Sequence, residues 1–382
     1  MSEAPLLIED LPTAGGKTIK RVTLNAPKAL NSLSLAMARE LQPKLVEWDA
    51  DDSVVAIFIE GAGDRAFCAG GDIVQIYHGM KSLHGEGEGD ADYPDHFFEA
   101  EYRLDYTLHT LDTPVIGWGN GVAMGGGLGI LAGCHFRVVT ENARLAMPEI
   151  TIGLFPDVGG TWFLNRMPGR SGLFLGLTGA HMNAGDALFV GLADRYLPHA
   201  AKDDVLSALA SAEDWGDPAH TVDRLLRRLA HEQDDTPPAS HVRRHLDRIN
   251  DVTDADTLSE LVGAIRSLAS DEDKWLAKAA ATLDGGCPVT AHLVHEQIRH
   301  GAQLSLRDVF LRELAMARQC IRHPDFREGV RALLIDKDGQ PDWSFKSVAE
   351  VPASTVKAHF APSWDGDHPL ADLTAPPAVA SR

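Results

Sequence analysis

Asn120-Gly-Val-Ala-Met-Gly-Gly-Gly-Leu-Gly-Ile130 follows directly on an apolar run at 114–119, and the reading of this glycine-rich stretch decides the fold. Glycines after a strand let backbone approach a ligand closely, because no Cβ stands in the way. If a helix begins at Gly126 or Gly127, its first N–H groups are unpaired and its dipole favours negative charge there. Working outward, 114–119 and 135–140 read as strands with a helix between them. Upstream, 18–24 (TIKRVTL) reads as a strand, and 34–49 carries apolar residues at helical spacing. The run 54–60 (VVAIFIE) has little polar interruption, as expected of a strand covered on both faces. Strand, helix, strand, helix implies an α/β architecture with crossover connections.

From about residue 202 the pattern turns helical, with amphipathic stretches at 203–212, 221–231, 241–250, 257–270, 272–283, 289–301 and 305–321. The expected organisation is a core over 1–200, a helical region over 201–350 and a tail over 351–382. The tail is rich in Pro, Asp and Ala and reads as a poorly packed wrap or a disordered end. The segment 85–92 (GEGEGDAD) reads as a solvated loop or lid.

Composition narrows the function. The 382 residues are 44% hydrophobic and 24% charged, the profile of a globular protein, with a net charge of −20. Such an excess of acid argues against generic binding to nucleic acid or an anionic membrane surface. No run of about 18 apolar residues occurs, so no membrane span is expected. The four cysteines, at 68, 134, 287 and 320, form no CxxC, so neither a disulfide framework nor a metal cluster is expected. The acidic N-terminus carries no secretory signal pattern, and the expected setting is cytoplasmic. His292 and His295 lie three apart on one predicted helix, but a solvated face explains them better than a metal site. Phosphate-loop, zincin and nucleophile-elbow motifs are absent.

Four segments carry the chemistry: Ala66-Phe-Cys-Ala-Gly-Gly-Asp72, the stretch at 120–127, Met147-Pro-Glu149 and Gly153-Leu-Phe-Pro-Asp-Val-Gly-Gly160. The turn at 69–72 could offer a second backbone N–H from another strand end. Two such donors meeting on one oxygen make an oxyanion hole, worth roughly 3–4 kcal/mol per donor in acyl chemistry. Glu149 and Asp157, eight positions apart, both follow prolines in apolar surroundings, which favours raised pKa values and acid–base work. The plainer role for Asp157 is a helix N-cap. Gly127-x-Gly129-x-x-Ala132 also matches the dinucleotide fingerprint, with Glu149 about 20 residues on. The expected strand ends near Gly119, too far upstream for that motif's tight turn.

The segments AFCAGGDI, NGVAMGGGLGI and MPEITIGLFPDVGGTWFL resemble the crotonase (enoyl-CoA hydratase/isomerase) superfamily, and within it the 3-hydroxyisobutyryl-CoA hydrolase family. HPDFREGVRALLIDKDGQPDW at 323–343 resembles that family's C-terminal signature. The resemblance implies a spiral of ββα turns followed by helices, and an acyl-CoA thioester as substrate. It implies an oxyanion hole from Gly71 and Gly126, with Gly70, Asp72 and Gly125 beside it as substrate-binding residues. Hydratases of the superfamily use two glutamates; the first falls at Gly129 and the second at Glu149. Asp157 stands where hydratases commonly have glycine and matches the acid of the hydrolases. Glu101 is the candidate for the acyl hydroxyl, with a solvated helix acid as the plainer role.

The implied reaction is hydrolysis of a short 3-hydroxyacyl-CoA, as in valine catabolism, with Glu149 as general base or as nucleophile and Asp157 assisting. Lys28, Arg65, Ala66 and Ala69 are the candidates for holding coenzyme A, which enters as part of the substrate; no metal or separate cofactor is expected. An enoyl-CoA hydratase/isomerase is the alternative activity, and a non-catalytic acyl-CoA-binding protein the alternative from another class. A homo-oligomer is a further expectation.

Overall fold

The computed structural model describes residues 4–374 apart from 234, 363 and 365. Residues Val54–Gly61 form strand β3, buried along both faces as its unbroken apolar run requires. The acid in that run, Glu60, is matched by Arg21 at 2.6 Å and Lys202 at 2.7 Å. The larger sheet has the order β1 (Leu6–Pro12), β2 (Thr18–Leu24), β3, β5 (Val115–Gly119), β7 (Phe136–Val139) and β9 (Arg195–Tyr196). Of these, only β1 runs antiparallel to its neighbour; the others pair in parallel. A second sheet joins β4 (Ala66–Cys68), β6 (Val122–Met124) and β8 (Arg144–Ala146).

The helices of this half are α1 (Leu35–Asp49), α2 (Ile73–Leu83), α3 (Tyr93–Thr110), α4 (Gly126–Gly133) and the short α5 (Gly160–Leu164). Three times the chain passes from the large sheet to the small one. β3 leads to β4 and then α2, β5 to β6 and α4, and β7 to β8 and a 3-10 turn at Glu149–Thr151. This is the ββα spiral that the resemblance implied, and it brings the ends of β4, β6 and β8 side by side. β6 was not expected. Because it ends at Met124, the distance from Gly119 is not what removes the dinucleotide reading. Gly127 lies inside α4 instead of in a turn before it, and Glu149 follows β8, not the first strand after the helix.

Beyond Lys202 the described chain is largely helical and packs back on the spiral: Val205, Leu209, Val222 and Leu226 join a cluster with Val55, Phe58 and Trp118, and apolar residues from Val242 onward join one that runs from Leu6 to Leu373. The stretch expected as one helix over 241–250 is two, His241–Arg244 and Leu246–Val252. His245 leaves helical geometry between them, its ring stacked on Trp275 and bonded to Asp273 at 2.9 Å. The tail differs from its composition. It forms a helix at Ala353–His359, and Leu370 is fully buried. Arg103 holds Asp372 at 2.8 and 2.9 Å, and Arg307 binds the carbonyls of Ala371 and Leu373. Two leucines and two arginines thus make its described part a packed strap, while 375–382 lie outside the described residues. The 85–92 loop is largely exposed, with Glu86 paired to Arg327 at 2.9 Å. His292 binds the Val348 carbonyl at 2.8 Å, and His295 pairs with Glu296.

Candidate active site

The ends of β4, β6 and β8 converge on one buried point. After β4, Leu33 accepts from Asp72 N–H and donates to Gly70 C=O, both at 2.8 Å. Alternation along the chain therefore turns the Gly71 N–H away from Leu33. After β6, Gly125 adopts φ 48° and ψ −127°, a backbone that excludes side-chain-bearing residues, and α4 starts at Gly126. As the first residue of a helix, Gly126 has an N–H without an intrahelical partner. A Cβ placed on Gly126 would lie 3.4 Å from Gly71 N, and one placed on Gly70 would lie 3.9 Å from Gly126 N. The two amides therefore border one small space.

Carboxyl groups close round that space. Glu149, which opens the 3-10 turn after β8, points at Gly125: its Oε1 lies 2.9 Å from where a Cβ there would sit. Glu101, on α3, places Oε1 only 2.0 Å from the same point on Gly126 and 3.8 Å from that on Gly71. Glu149 Oε2 and Glu101 Oε1 are buried without a hydrogen-bond partner. Asp157 is buried and accepts a 2.7 Å bond from the Tyr102 hydroxyl; the cap of α5 is Gly159, so the capping role does not apply. Gly129 faces Val158 so closely that a Cβ on it would lie 2.5 Å from the valine Cβ. Position 129 has no room for a side chain.

Burial sets the electrostatics. It drives Glu101 and Glu149 well above the usual carboxylate range, with Asp157 the next cause for each. Asp157 itself rises to about 7 through desolvation, opposed by the Tyr102 bond. Two further acids belong to the cluster and were not singled out from sequence. Asp105, four residues after Glu101 on the same face of α3, is fully buried with both oxygens unpartnered and is likewise raised by desolvation. Glu313, from the helix Leu306–Cys320, rises to about 8 through burial. Burial also pushes His109 down to about 3, leaving it neutral. Among the described residues no Lys or Arg forms an ion pair with any of these five acids. Such a set cannot ionise together, so it keeps protons near neutral pH.

The other residues of interest lie further out. Asp72 turns its carboxylate to the Gln75 N–H at 3.2 Å and caps α2. Ala66 opens β4, and Ala69 N–H bonds Leu30 C=O at 3.0 Å. Lys28 is exposed in the turn Pro27–Ala29. Arg65 lines an open cleft with Leu30, Arg144, His181 and Trp275.

Residues 19–360 match the family model described as enoyl-CoA hydratase/isomerase. The chain is 36% identical over 362 residues to the mitochondrial 3-hydroxyisobutyryl-CoA hydrolase of Gallus gallus, covering 94% of this chain and 89% of that protein. The Homo sapiens protein of that name is 34% identical, with 89% and 85% covered. Among solved structures, a carnitinyl-CoA dehydratase from Mycobacterium thermoresistibile superposes with a TM-score of 0.82 at 34% identity, covering 94% of this chain and 97% of that one. An enoyl-CoA hydratase from Rhodobacter sphaeroides 2.4.1 gives 0.79 at 32%, with 94% and 98% covered. One expectation is corrected here. The relatives are named mitochondrial, which overturns the cytoplasmic setting; it had rested on composition and on the lack of a secretory signal, neither of which separates reducing compartments. With its spiral of ββα turns and its glycine-lined carboxyl cluster, the chain belongs to the enoyl-CoA hydratase/isomerase (crotonase) family, beside relatives named 3-hydroxyisobutyryl-CoA hydrolase.

Proposed function

We propose that the protein hydrolyses a short-chain 3-hydroxyacyl-CoA thioester, 3-hydroxyisobutyryl-CoA being the first substrate to try. The observation that carries this reading is buried Glu149 beside the Gly71–Gly126 gap, its pKa raised in part by the equally buried Asp157, at a site where position 129 cannot hold a second glutamate. The names of the curated relatives support it. The solved structures are named as a dehydratase and a hydratase, and they favour enoyl-CoA hydration as the second reading. Hydration in this superfamily employs a carboxylate at the position of Gly129, which Val158 fills here.

In the proposed mechanism the thioester oxygen accepts N–H bonds from Gly71 and Gly126, which stabilise the charge it develops. Glu149 and Asp157 titrate as a pair that does not ionise together, and in the microstate with the charge on Glu149 its electron pair takes a proton from water or attacks the acyl carbon itself. Asp157, with its pKa near 7, is matched to giving a proton to the departing sulfur. Glu101, protonated through burial, receives the substrate hydroxyl. The net change is one water consumed, the acyl–sulfur bond broken and a free thiol released. Arg65 and Lys28 are the cations for the coenzyme phosphates. A panel of 3-hydroxyisobutyryl-, 3-hydroxypropionyl-, isobutyryl- and acetyl-CoA with thiol detection tests this. The 3-hydroxyacyl thioesters are expected to exceed the unsubstituted ones at least about tenfold in kcat/KM, the worth of one buried hydrogen bond. No thiol release from any of the four would refute the reading.

A further inference from the structure

Asp157 sits on a backbone that would not hold its shape unaided. Val158 has φ 52°, a left-handed conformation that a β-branched residue resists, and its side chain occupies the space that a Cβ on Gly129 would need. Strain of this kind persists only where the surroundings fix it. Here the fixing groups come from about 150 residues downstream. Glu313 Oε2 accepts the Gly159 N–H at 2.8 Å and its Oε1 accepts the Thr161 N–H at 2.8 Å. Gln297, from the helix Pro288–Gly301, donates to the Pro156 carbonyl and to the Thr161 hydroxyl, both at 2.8 Å. Glu313 and Gln297 are both fully buried.

We infer that Glu313 is a positioning residue for the reaction, clamping the 157–161 turn so that the Asp157 carboxyl meets the substrate. This inference deepens the hydrolase reading and rests on it. The Gly159 and Thr161 N–H bonds oppose the effect of burial on Glu313 and favour the carboxylate, which with one oxygen on each donor is a two-point grip that no other residue type of that length offers. Glutamine would set its NH2 against one of the two amides and release that side of the turn. A small displacement of a reacting group costs on the order of 100-fold in rate. The helical region thereby contributes to the chemistry through the backbone, without touching substrate.

The test is a double-mutant cycle on the full chain, reading thiol release from 3-hydroxyisobutyryl-CoA. Glu313→Gln is expected to lower kcat roughly 10- to 100-fold with KM changed less than about threefold. In the Asp157→Asn background the same substitution is expected to cost less than about twofold, because its effect passes through Asp157. A merely structural role would repeat the full loss in both backgrounds, and that result, or a normal kcat for Glu313→Gln, overturns the inference. If Glu313→Gln does not fold, Glu313→Asp, whose shorter carboxylate reaches one amide, takes its place in the cycle: a loss that shrinks in the Asp157→Asn background supports the clamp, and an equal loss in both overturns it. A wild type that releases no thiol overturns the hydrolase reading and this inference with it; an active wild type with an additive cycle overturns the inference alone.

Discussion

Glu149→Gln is expected to cut kcat for thiol release by roughly 100- to 10,000-fold, the range a positioned base contributes, with little change in KM. Glutamine keeps the shape of the side chain but can neither take a proton from water nor attack the acyl carbon. The same variant is expected to leave the fold intact and to flatten its pH response. Glu149 is buried with Oε2 unpartnered, and its pKa is raised above the ordinary 4.5 by burial and then by Asp157. A carboxyl raised in the folded state adds stability below its unfolded pKa, and that stability is lost as pH climbs through the folded value. Asp157 follows the same course, from 3.8 to about 7. The wild-type Tm is therefore expected to fall between about pH 5 and about pH 8, and that of Glu149→Gln to fall less. Thermal melts across this range check the sign. Near-normal turnover by the glutamine variant would remove Glu149 from the mechanism.

Gly126→Ala is expected to lower kcat/KM by roughly 100- to 1,000-fold, as loss of an oxyanion donor does. The new methyl group would sit 3.4 Å from Gly71 N, in the space bordered by both amides, and 2.0 Å from Glu101 Oε1. Only the end of a side chain opposes it, so Glu101 can swing aside and the Tm is expected to stay within a few degrees of wild type. Its neighbour supplies the contrast. A Cβ on Gly127 would meet the Cys68 carbonyl oxygen at 1.9 Å, backbone that cannot yield, so Gly127→Ala is expected to fail in folding before it fails in catalysis. Activity and melting temperature measured on both variants separate the two kinds of glycine. Full activity in Gly126→Ala would show that no substrate oxygen lies between the amides.

The long elements and the glycine runs were legible in the sequence because each has a local cause. Thr18–Leu24 is rich in β-branched residues, and Val54–Gly61 is apolar because both faces are covered. Strands β4, β6 and β8 are three residues each, too short for any period to register, yet their ends build the site. Asp105 was within reach: it lies one helical turn from Glu101, and two acids on the apolar face of one helix are a signal. Glu313 was not, since nothing near it in the chain marks its partners at Gly159 and Thr161. The tail misled because two leucines, Asp372 and a few backbone carbonyls outweigh a Pro- and Asp-rich background once Arg103 on α3 and Arg307 on the helix Leu306–Cys320 bind them.

The two readings of this buried gap call for different substrates, a hydroxyacyl thioester to hydrolyse or an enoyl thioester to hydrate. The most direct measurement is the ratio, on one preparation, of thiol release from 3-hydroxyisobutyryl-CoA to hydration of crotonyl-CoA, each as kcat/KM. With no carboxylate possible at position 129, hydrolysis is expected to exceed hydration by at least about 100-fold, the contribution of one acid–base group. Hydration equal to or faster than hydrolysis would contradict it.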